Sequence, residues 1–226
     1  MHFHKYHGLG NDYIVLDPTE NPVSPTPRLV QAVCDRHYGI GADGILLGPL
    51  PPTAPGGERD ILYSVKIFNP DGSEAEKSGN GLRIFCRYLR DTDRAGEEAF
   101  NLETLGGVVN CRITDSGKQV RVEMGTASFR SGDIPVTGPA REVVNETMEV
   151  QGQSFTYAAV TVGNPHCVIL CDDVSADTAQ KFGPHIETDP RFPNRTNVQF
   201  LHVLDRNTIR IEIWERGAGY TLASGS

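Results

Sequence analysis

The sequence lacks the features of a membrane, secreted or nucleic-acid-binding protein. Its 226 residues include 21 Lys and Arg against 29 Asp and Glu, a formal net charge of −8. The sequence therefore lacks the excess of basic residues that binds the phosphates of nucleic acids. No apolar run approaches the roughly 18 residues of a membrane span, and the polar first residues lack the apolar core of a signal peptide. We therefore expect a cytoplasmic protein that binds neither nucleic acid nor a membrane.

Cysteine is also scarce and follows no ligand pattern. The five cysteines form no Cys-x-x-Cys pair, are odd in number and lie mostly in apolar segments, which predicts reduced, buried thiols. The opening histidines could in principle bind a metal ion, but no carboxylate or second histidine cluster has the usual ligand spacing. We expect no metal site. The cysteines are Cys34, Cys86, Cys111, Cys167 and Cys171.

What is present is the composition of a soluble globular chain, with 38% hydrophobic and 22% charged residues. Apolar runs predict strands with intermittent helices, hence an α/β or mixed α+β fold. Predicted helices are near 29–34, from 79 onward and at 177–182, and a Pro-rich surface loop is predicted at 49–58. Predicted strands are 13–16, 44–47, 62–68, 108–113, 120–124, 143–150, 156–162, 167–170, 198–203 and 208–214.

Two features recur in the same order in both halves and favour an internal duplication. The first is an Asn that precedes an apolar strand closed by Asp, at Asn11 and again at Asn164. In the second, a strand runs into Asn69 and a Ser-Gly pair follows nine positions later at Ser78; a second strand runs into Glu215 and a Ser-Gly pair follows nine positions later at Ser224. We predict domains at 1–125 and 126–226. Because the first half continues for roughly 45 residues beyond its Ser-Gly pair, we expect the second to be truncated.

The string Gly-x-Gly-x-x-Gly at 39–44 matches a dinucleotide-binding pattern, but its context is reversed. A predicted helix precedes the glycines and a strand follows them. The glycines therefore favour a helix exit and a tight turn.

The segment 78–81, Ser-Gly-Asn-Gly, opens a predicted helix. It is either an ordinary N-cap or a place where free backbone N–H groups bind a carboxylate or phosphate. Its counterpart at 224–226 in the other half shifts the balance towards a binding site. Two helix ends that face one ligand from opposite sides provide a geometry for inversion.

With these motifs the sequence resembles the diaminopimelate epimerases, cofactor-independent isomerases that share a superfold with proline racemase. The resemblance runs along the whole chain. It is carried by the segments 3–13, 39–44, 68–73, 78–83, 163–166, 195–198 and 214–219.

The resemblance implies two similar domains, each a mixed sheet around a central helix, with the substrate between them. It implies a small amino-acid substrate charged at both ends, no cofactor and a homodimer. His166 and Glu215 would assist proton handling, and Gly79, Asn80, Gly225 and Ser226 would bind the α-carboxylate. The distal polar groups of the substrate would be held by Asn11, Asn69, Asn164, Asn197, Glu215 and Arg216.

The sequence departs from the family at its two catalytic positions. The family has a cysteine at each, one removing and one donating the α-proton, whereas this chain has Ser78 and Ser224. A thiol becomes a thiolate readily at a helix N-terminus, but a hydroxyl needs an adjacent base. Either both cysteines were exchanged deliberately or this is a natural serine branch; Tyr220, which replaces an expected glutamate, favours the latter.

Three possible functions follow from the resemblance and from the serines at the two catalytic positions. The first is a pyridoxal-independent epimerase that converts L,L- to meso-diaminopimelate. The second is a catalytically silent amino-acid-binding homologue. The third is a hydro-lyase, because in the related proline racemase group the exchange of one cysteine for a hydroxyl residue accompanies dehydration.

Overall fold

The computed structural model describes residues 1–22, 24–53 and 60–225. The predicted loop at 49–58 lies partly outside these residues, and Ser226 lies outside them. Contacts divide the chain into two compact units, one formed by Met1–Gly125 with residues 223–225 and one by Thr126–Leu222. Among the described residues, no helix is both long and apolar enough to cross a membrane.

Most of the chain's helices and strands fall where the apolar periodicity predicts them. The first unit contains β1 (His4–Gly8), β2 (Asn11–Leu16), α1 (Pro27–Cys34), β3 (Ile45–Leu50), β4 (Ile61–Phe68), β5 (Glu74–Ala75), α2 (Gly79–Asp91), β6 (Phe100–Thr104), β7 (Gly107–Thr114) and β8 (Gln119–Glu123). The second contains β9 (Glu146–Val150), β10 (Gln153–Thr161), β11 (Pro165–Leu170), α3 (Ala176–Glu187), β12 (Asn197–Val203), β13 (Ile209–Glu215) and β14 (Gly219–Thr221).

In the first unit a mixed sheet curves around α2. The strand order is β1-β2-β3-β4-β6-β7-β8, with β5 paired to β4. Helix α2 contacts both edge strands, β1 and β8, as well as β2, β3 and β7. Leu82, Phe85 and Leu89 recur at helical spacing and are fully buried, so this face of α2 forms the core.

The second unit is a six-stranded mixed sheet with the strand order β14-β13-β12-β11-β10-β9. Helix α3 contacts β9 at one edge and β14 at the other, as well as β12 and β13. Its Gly183 lies directly against the Trp214 side chain: a Cβ at this position would be 2.5 Å from the Trp214 Cβ and Cγ. Only glycine therefore lets α3 approach β13 this closely.

Strand pairing supports the predicted duplication and confirms the mixed fold class. In the first unit β1 pairs antiparallel with β2, β2 parallel with β3, β3 antiparallel with β4, and β4 antiparallel with β5. The run from β10 to β14 repeats this order, with α3 in the place of α1. The two runs end just before Ser78 and Ser224.

Several predicted elements need correction. The strand predicted at 143–150 begins at Glu146, because Asn145 has φ +56° and leaves extended conformation. The helix predicted at 177–182 continues past Pro184 to Glu187, since the last turn is anchored by buried side chains. Strands β5, β6 and β14 carried no clear apolar pattern and were missed.

Two other predictions are confirmed. At the exit of α1, the N–H groups of Ile40 and Gly41 both donate to the Val33 carbonyl, and β3 follows, so the glycines form a turn. All five cysteines are free, four of them buried and Cys171 half-buried. Burial raises the pKa of the Cys34 thiol to about 11.

Candidate active site

Ser78 caps the N-terminus of α2. Its backbone is extended, with φ −142° and ψ 116°, and its hydroxyl accepts a hydrogen bond from the Gly81 N–H at 3.0 Å. The same oxygen lies 3.1 Å from the Tyr13 hydroxyl. Tyr13 is buried, and its ring packs on Gly44, where a Cβ would be 2.6 Å from the ring. Ser78 thus acts as a helix cap and is also held by a phenol.

The second Ser-Gly segment packs against this helix end. A Cβ on Gly79 would lie 2.1 Å from the Gly225 carbonyl oxygen, and one on Gly225 would lie 2.8 Å from the Asn80 nitrogen. The N–H groups of Gly79 and Asn80 lie in the first turn of α2 and have no acceptor within the helix. They point outward at the positive end of the helix dipole. Glycine at both positions is what permits this close approach.

The side chains of Asn80 and Asn11 are both engaged in a buried network. The Asn80 amide donates to the Asn11 Oδ1 at 3.2 Å and to the Ala223 carbonyl at 3.1 Å, and Arg83 donates to its Oδ1. The Asn11 amide in turn donates to Asp43 at 2.9 Å. These contacts fix the α2 N-terminus, β2 and residue 223 relative to one another.

Asp12 and Asn69 are also held by neighbours. Burial raises the pKa of Asp12, but hydrogen bonds from Arg36 and Lys5 outweigh it and lower the pKa to about 2. Asn69 follows β4 in a tight turn, and its amide donates to the Ser73 hydroxyl at 3.0 Å. Asn69 lies beside the starts of β2 and β3, because β4 runs antiparallel to β3.

The predicted residues of the second unit converge at the corresponding edge of its sheet. Strands β11 and β12 are parallel and start there, with His166 paired to Asn197, while the antiparallel β13 ends there at Glu215. The Asn197 amide donates to the Pro165 carbonyl at 2.9 Å, and its Oδ1 accepts from the Arg216 N–H at 3.0 Å. Asn164 is buried directly before β11.

His166 is buried and has a defined orientation. The Gln199 amide lies 2.9 Å from the His166 Nδ1. This contact with Gln199 orients the imidazole ring. The site therefore presents a buried imidazole of fixed orientation, a group able to take up or give a proton.

Glu187, in the last turn of α3, organises the turn that carries Glu215 and Arg216. Its Oε2 accepts from the Trp214 Nε1 at 2.7 Å, and its Oε1 accepts from the Gly217 N–H at 3.0 Å and from Arg195. Glu187 is only 5% exposed, so water contributes little to the solvation of its carboxylate. Charge-assisted hydrogen bonds of this kind are stronger than neutral ones.

Comparison with known families identifies the chain. The family model for diaminopimelate epimerase matches residues 3–130 and 158–226. The chain belongs to the diaminopimelate epimerase family. It is accordingly an enzyme of the isomerase class.

Curated members of the diaminopimelate epimerase family are similar along the full chain. It is 58% identical over 226 residues to diaminopimelate epimerase 2 of Nostoc sp. (strain PCC 7120), covering 100% of this chain and 77% of that protein. It is 42% identical over 230 residues to the diaminopimelate epimerase of Moorella thermoacetica, covering 100% and 80%.

Solved structures place the family member in a wider fold group. A probable proline racemase from Agrobacterium radiobacter has a TM-score of 0.69 at 15% identity, covering 98% of this chain and 72% of that one. A hydroxyproline epimerase from Agrobacterium vitis has a TM-score of 0.67 at 13% identity, with the same coverage. At these identities the similarity shows the shared fold.

Sequence reasoning missed three residues that hold the site in place. Tyr13, Gln199 and Glu187 each contact a predicted residue or the turn that carries one. Tyr13 and Gln199 lie in predicted strands and resemble ordinary strand residues, and Glu187 lies beyond the helix predicted at 177–182. Tyr220, which the resemblance singled out, donates to Glu212 at 2.7 Å, and this hydrogen bond raises its pKa.

Proposed function

We propose that the protein interconverts L,L- and meso-diaminopimelate without pyridoxal or metal, in the cytoplasm, as a step that supplies lysine and peptidoglycan precursors. The relatives from Nostoc sp. and Moorella thermoacetica, both diaminopimelate epimerases, support this substrate. The observation that carries the proposal is the meeting of two Ser-Gly segments at the α2 N-terminus, where Gly225 contacts Gly79 and Asn80.

Inversion at Cα requires a carbanion-like transition state next to a carboxylate. The N–H groups of Gly79 and Asn80, with the helix dipole behind them, would bind the α-carboxylate and stabilise the developing negative charge. Ser78 and Ser224 would flank Cα and exchange its proton. His166, whose ring is oriented by Gln199, and Glu215 would assist that exchange.

The distal end of the substrate carries an amino group and a second carboxylate. Arg216 and Glu215 supply the charges complementary to these groups. The remaining polar groups in the proposed binding set are Asn11, Asn69, Asn164 and Asn197, with Gly225 and Ser226 at the α-carboxylate. Asn11, Asn80 and Asn197 would act through fixed geometry, since their amides are already oriented by neighbours.

A second candidate, a binding protein without turnover, is supported by the surroundings of Ser78. Among the described residues, its hydroxyl contacts a backbone N–H and the Tyr13 phenol, and no carboxylate or imidazole hydrogen-bonds to it. A serine hydroxyl is a weak base without such a partner. This candidate predicts ligand-dependent thermal stabilisation without exchange of the α-proton.

Proton NMR in heavy water separates the two candidates. The protein is incubated with L,L- or meso-diaminopimelate, and the loss of the α-proton signal and formation of the other stereoisomer are followed. The double variant Ser78→Cys with Ser224→Cys is measured in parallel. Ser175→Cys is the matched control, because Ser175 caps α3 in the same way and its hydroxyl accepts from the Thr178 N–H at 3.2 Å.

Each outcome assigns a function. Washout with formation of the epimer in the unchanged chain supports the epimerase. Stabilisation without washout, with activity gained only in the double-cysteine variant, supports the silent binding protein. Release of ammonia without an epimer supports a lyase instead of an epimerase, and neither binding nor turnover of diaminopimelate would overturn the proposed substrate.

A further inference from the structure

Two histidines and one carboxylate meet at the start of the first unit, away from the residues proposed for substrate. The His2 Nδ1 lies 2.6 Å from the Glu20 Oε2, and the His4 Nε2 lies 3.5 Å from the same oxygen. The three potential ligand atoms all lie within 4.8 Å of one another. We propose that His2, His4 and Glu20 bind a divalent transition-metal ion, with Zn²⁺ as the expected occupant.

The backbone brings these side chains together. His2 and His4 are two positions apart in extended chain, so their side chains lie on the same face. The His2 N–H donates to the Asn21 Oδ1 at 2.9 Å, and the Asn21 amide donates back to the His2 carbonyl at 2.6 Å. Because Asn21 adjoins Glu20, this pair of hydrogen bonds holds the first residues beside the carboxylate.

The turn that carries Glu20 is itself well fixed. The Asp17 carbonyl accepts from the N–H groups of Glu20 and Asn21, at 3.1 and 2.9 Å. The Asp17 side chain accepts from Tyr88 at 2.6 Å and from the Thr19 N–H at 2.8 Å. Supporting hydrogen bonds of this kind orient metal ligands in known sites.

His4 gives an independent indication of a ligand. Its Nε2 is buried and makes no hydrogen bond among the described residues, although Glu20 is its ionic neighbour. Its ring rests on Tyr88, with the ring centroids 5.0 Å apart. A buried ring nitrogen without a hydrogen bond is costly, and coordination to a metal would satisfy it.

The geometry and donor types select the class of ion. Ligands at about 2.0–2.1 Å from a tetrahedral Zn²⁺ are about 3.3 Å apart. The two histidine–carboxylate separations, 2.6 and 3.5 Å, bracket this value, and all three ligand atoms lie within 4.8 Å of one another. Two imidazoles and one carboxylate suit Zn²⁺, Cu²⁺ or Ni²⁺ and disfavour Mg²⁺ and Ca²⁺. The half-exposed position leaves room for water as a fourth ligand.

The alternative occupant is a proton, since protonated histidines would pair directly with Glu20. Calorimetric titration with Zn²⁺ and Mg²⁺, near pH 7.5 where most unperturbed histidines are neutral, distinguishes the two. Titration with Co²⁺ in place of Zn²⁺ gives a second readout. Octahedral Co²⁺ in water is pale pink, whereas tetrahedrally coordinated Co²⁺ has an intense visible absorption band. Both experiments use the full chain and are independent of catalytic activity.

Three single variants make the test specific. Glu20→Gln and His4→Gln each remove one ligand, whereas His7→Gln removes an exposed histidine from the opposite face of β1. We expect one Zn²⁺ per chain, no Mg²⁺ binding, at least a tenfold loss of affinity in the first two variants and none in the third. Absence of Zn²⁺ binding, or an equal effect of all three variants, would overturn the proposal.

Discussion

The substitution Glu187→Gln tests whether one buried carboxylate holds the turn at 215–217. In the structure Glu187 accepts from Trp214, Gly217 and Arg195, so both of its oxygens act as acceptors. Glutamine has nearly the same shape but only one acceptor oxygen, and its NH₂ would face a donor on the other side. At least one charge-assisted hydrogen bond is lost and a buried donor is left unsatisfied.

The loss of stability caused by Glu187→Gln can be calculated from these lost hydrogen bonds. A hydrogen bond to a charged group contributes about 1.5–3 kcal/mol, and a donor left unsatisfied in a buried site adds about 1 kcal/mol or more. Half-exposed Arg195 recovers part of its solvation, with 40% of its side chain accessible. We therefore expect the free energy of unfolding of the second unit to fall by about 3 kcal/mol.

Urea unfolding followed by tryptophan fluorescence measures this directly, because Trp214 is the single tryptophan and is itself a partner of Glu187. Glu149→Gln, at an exposed glutamate, is the matched control and should change stability by less than about 0.5 kcal/mol. The displaced turn should also weaken binding of meso-diaminopimelate. A loss of stability equal to that of the control would refute the reasoning.

Three further substitutions test the rest of the structure. Tyr13→Phe removes the phenol from Ser78 and should slow any α-proton exchange about tenfold while costing about 1 kcal/mol of stability. Asp12 has a folded pKa of about 2. Because this pKa is lower than in the unfolded chain, ionised Asp12 contributes about 2 kcal/mol to the free energy of unfolding above pH 4, and this contribution is lost as the pH falls towards 2. Asp12→Asn should remove this part of the pH dependence of stability. Gly183→Ala should cost about 2 kcal/mol by overpacking.

These three predictions are checked by kinetics and by unfolding. For Tyr13→Phe, an unchanged NMR exchange rate would show that the phenol takes no part. For Asp12→Asn, a stability that decreases between pH 4 and 2 as much as in the unchanged chain would contradict the assigned ion pairs. Gly96→Ala is the control for Gly183→Ala, because nothing lies within 4 Å of a Cβ at Gly96; equal effects would contradict the close packing of α3.

Much of this protein could be predicted from local sequence. Apolar periodicity located α1, α2 and most strands, since burial of one face imposes a period on each element. The repeated spacing of Asn69–Ser78 and Glu215–Ser224 predicted a duplication, and the repeated strand pairing supports it. Ser78 was predicted as a helix cap because its side chain has a local hydrogen-bonding role that its sequence neighbours define.

Other features depended on tertiary structure, because they join residues distant along the chain. The sequence shows no carboxylate near the opening histidines, yet the pairing of β1 with β2 brings Glu20 to His2 and His4. Residues 223–225 follow a strand of the second unit but pack with the first. Local patterns determine which face an element buries; only long-range packing decides which side chains then meet, so the partners of Ser78 and His166 emerged from the fold alone.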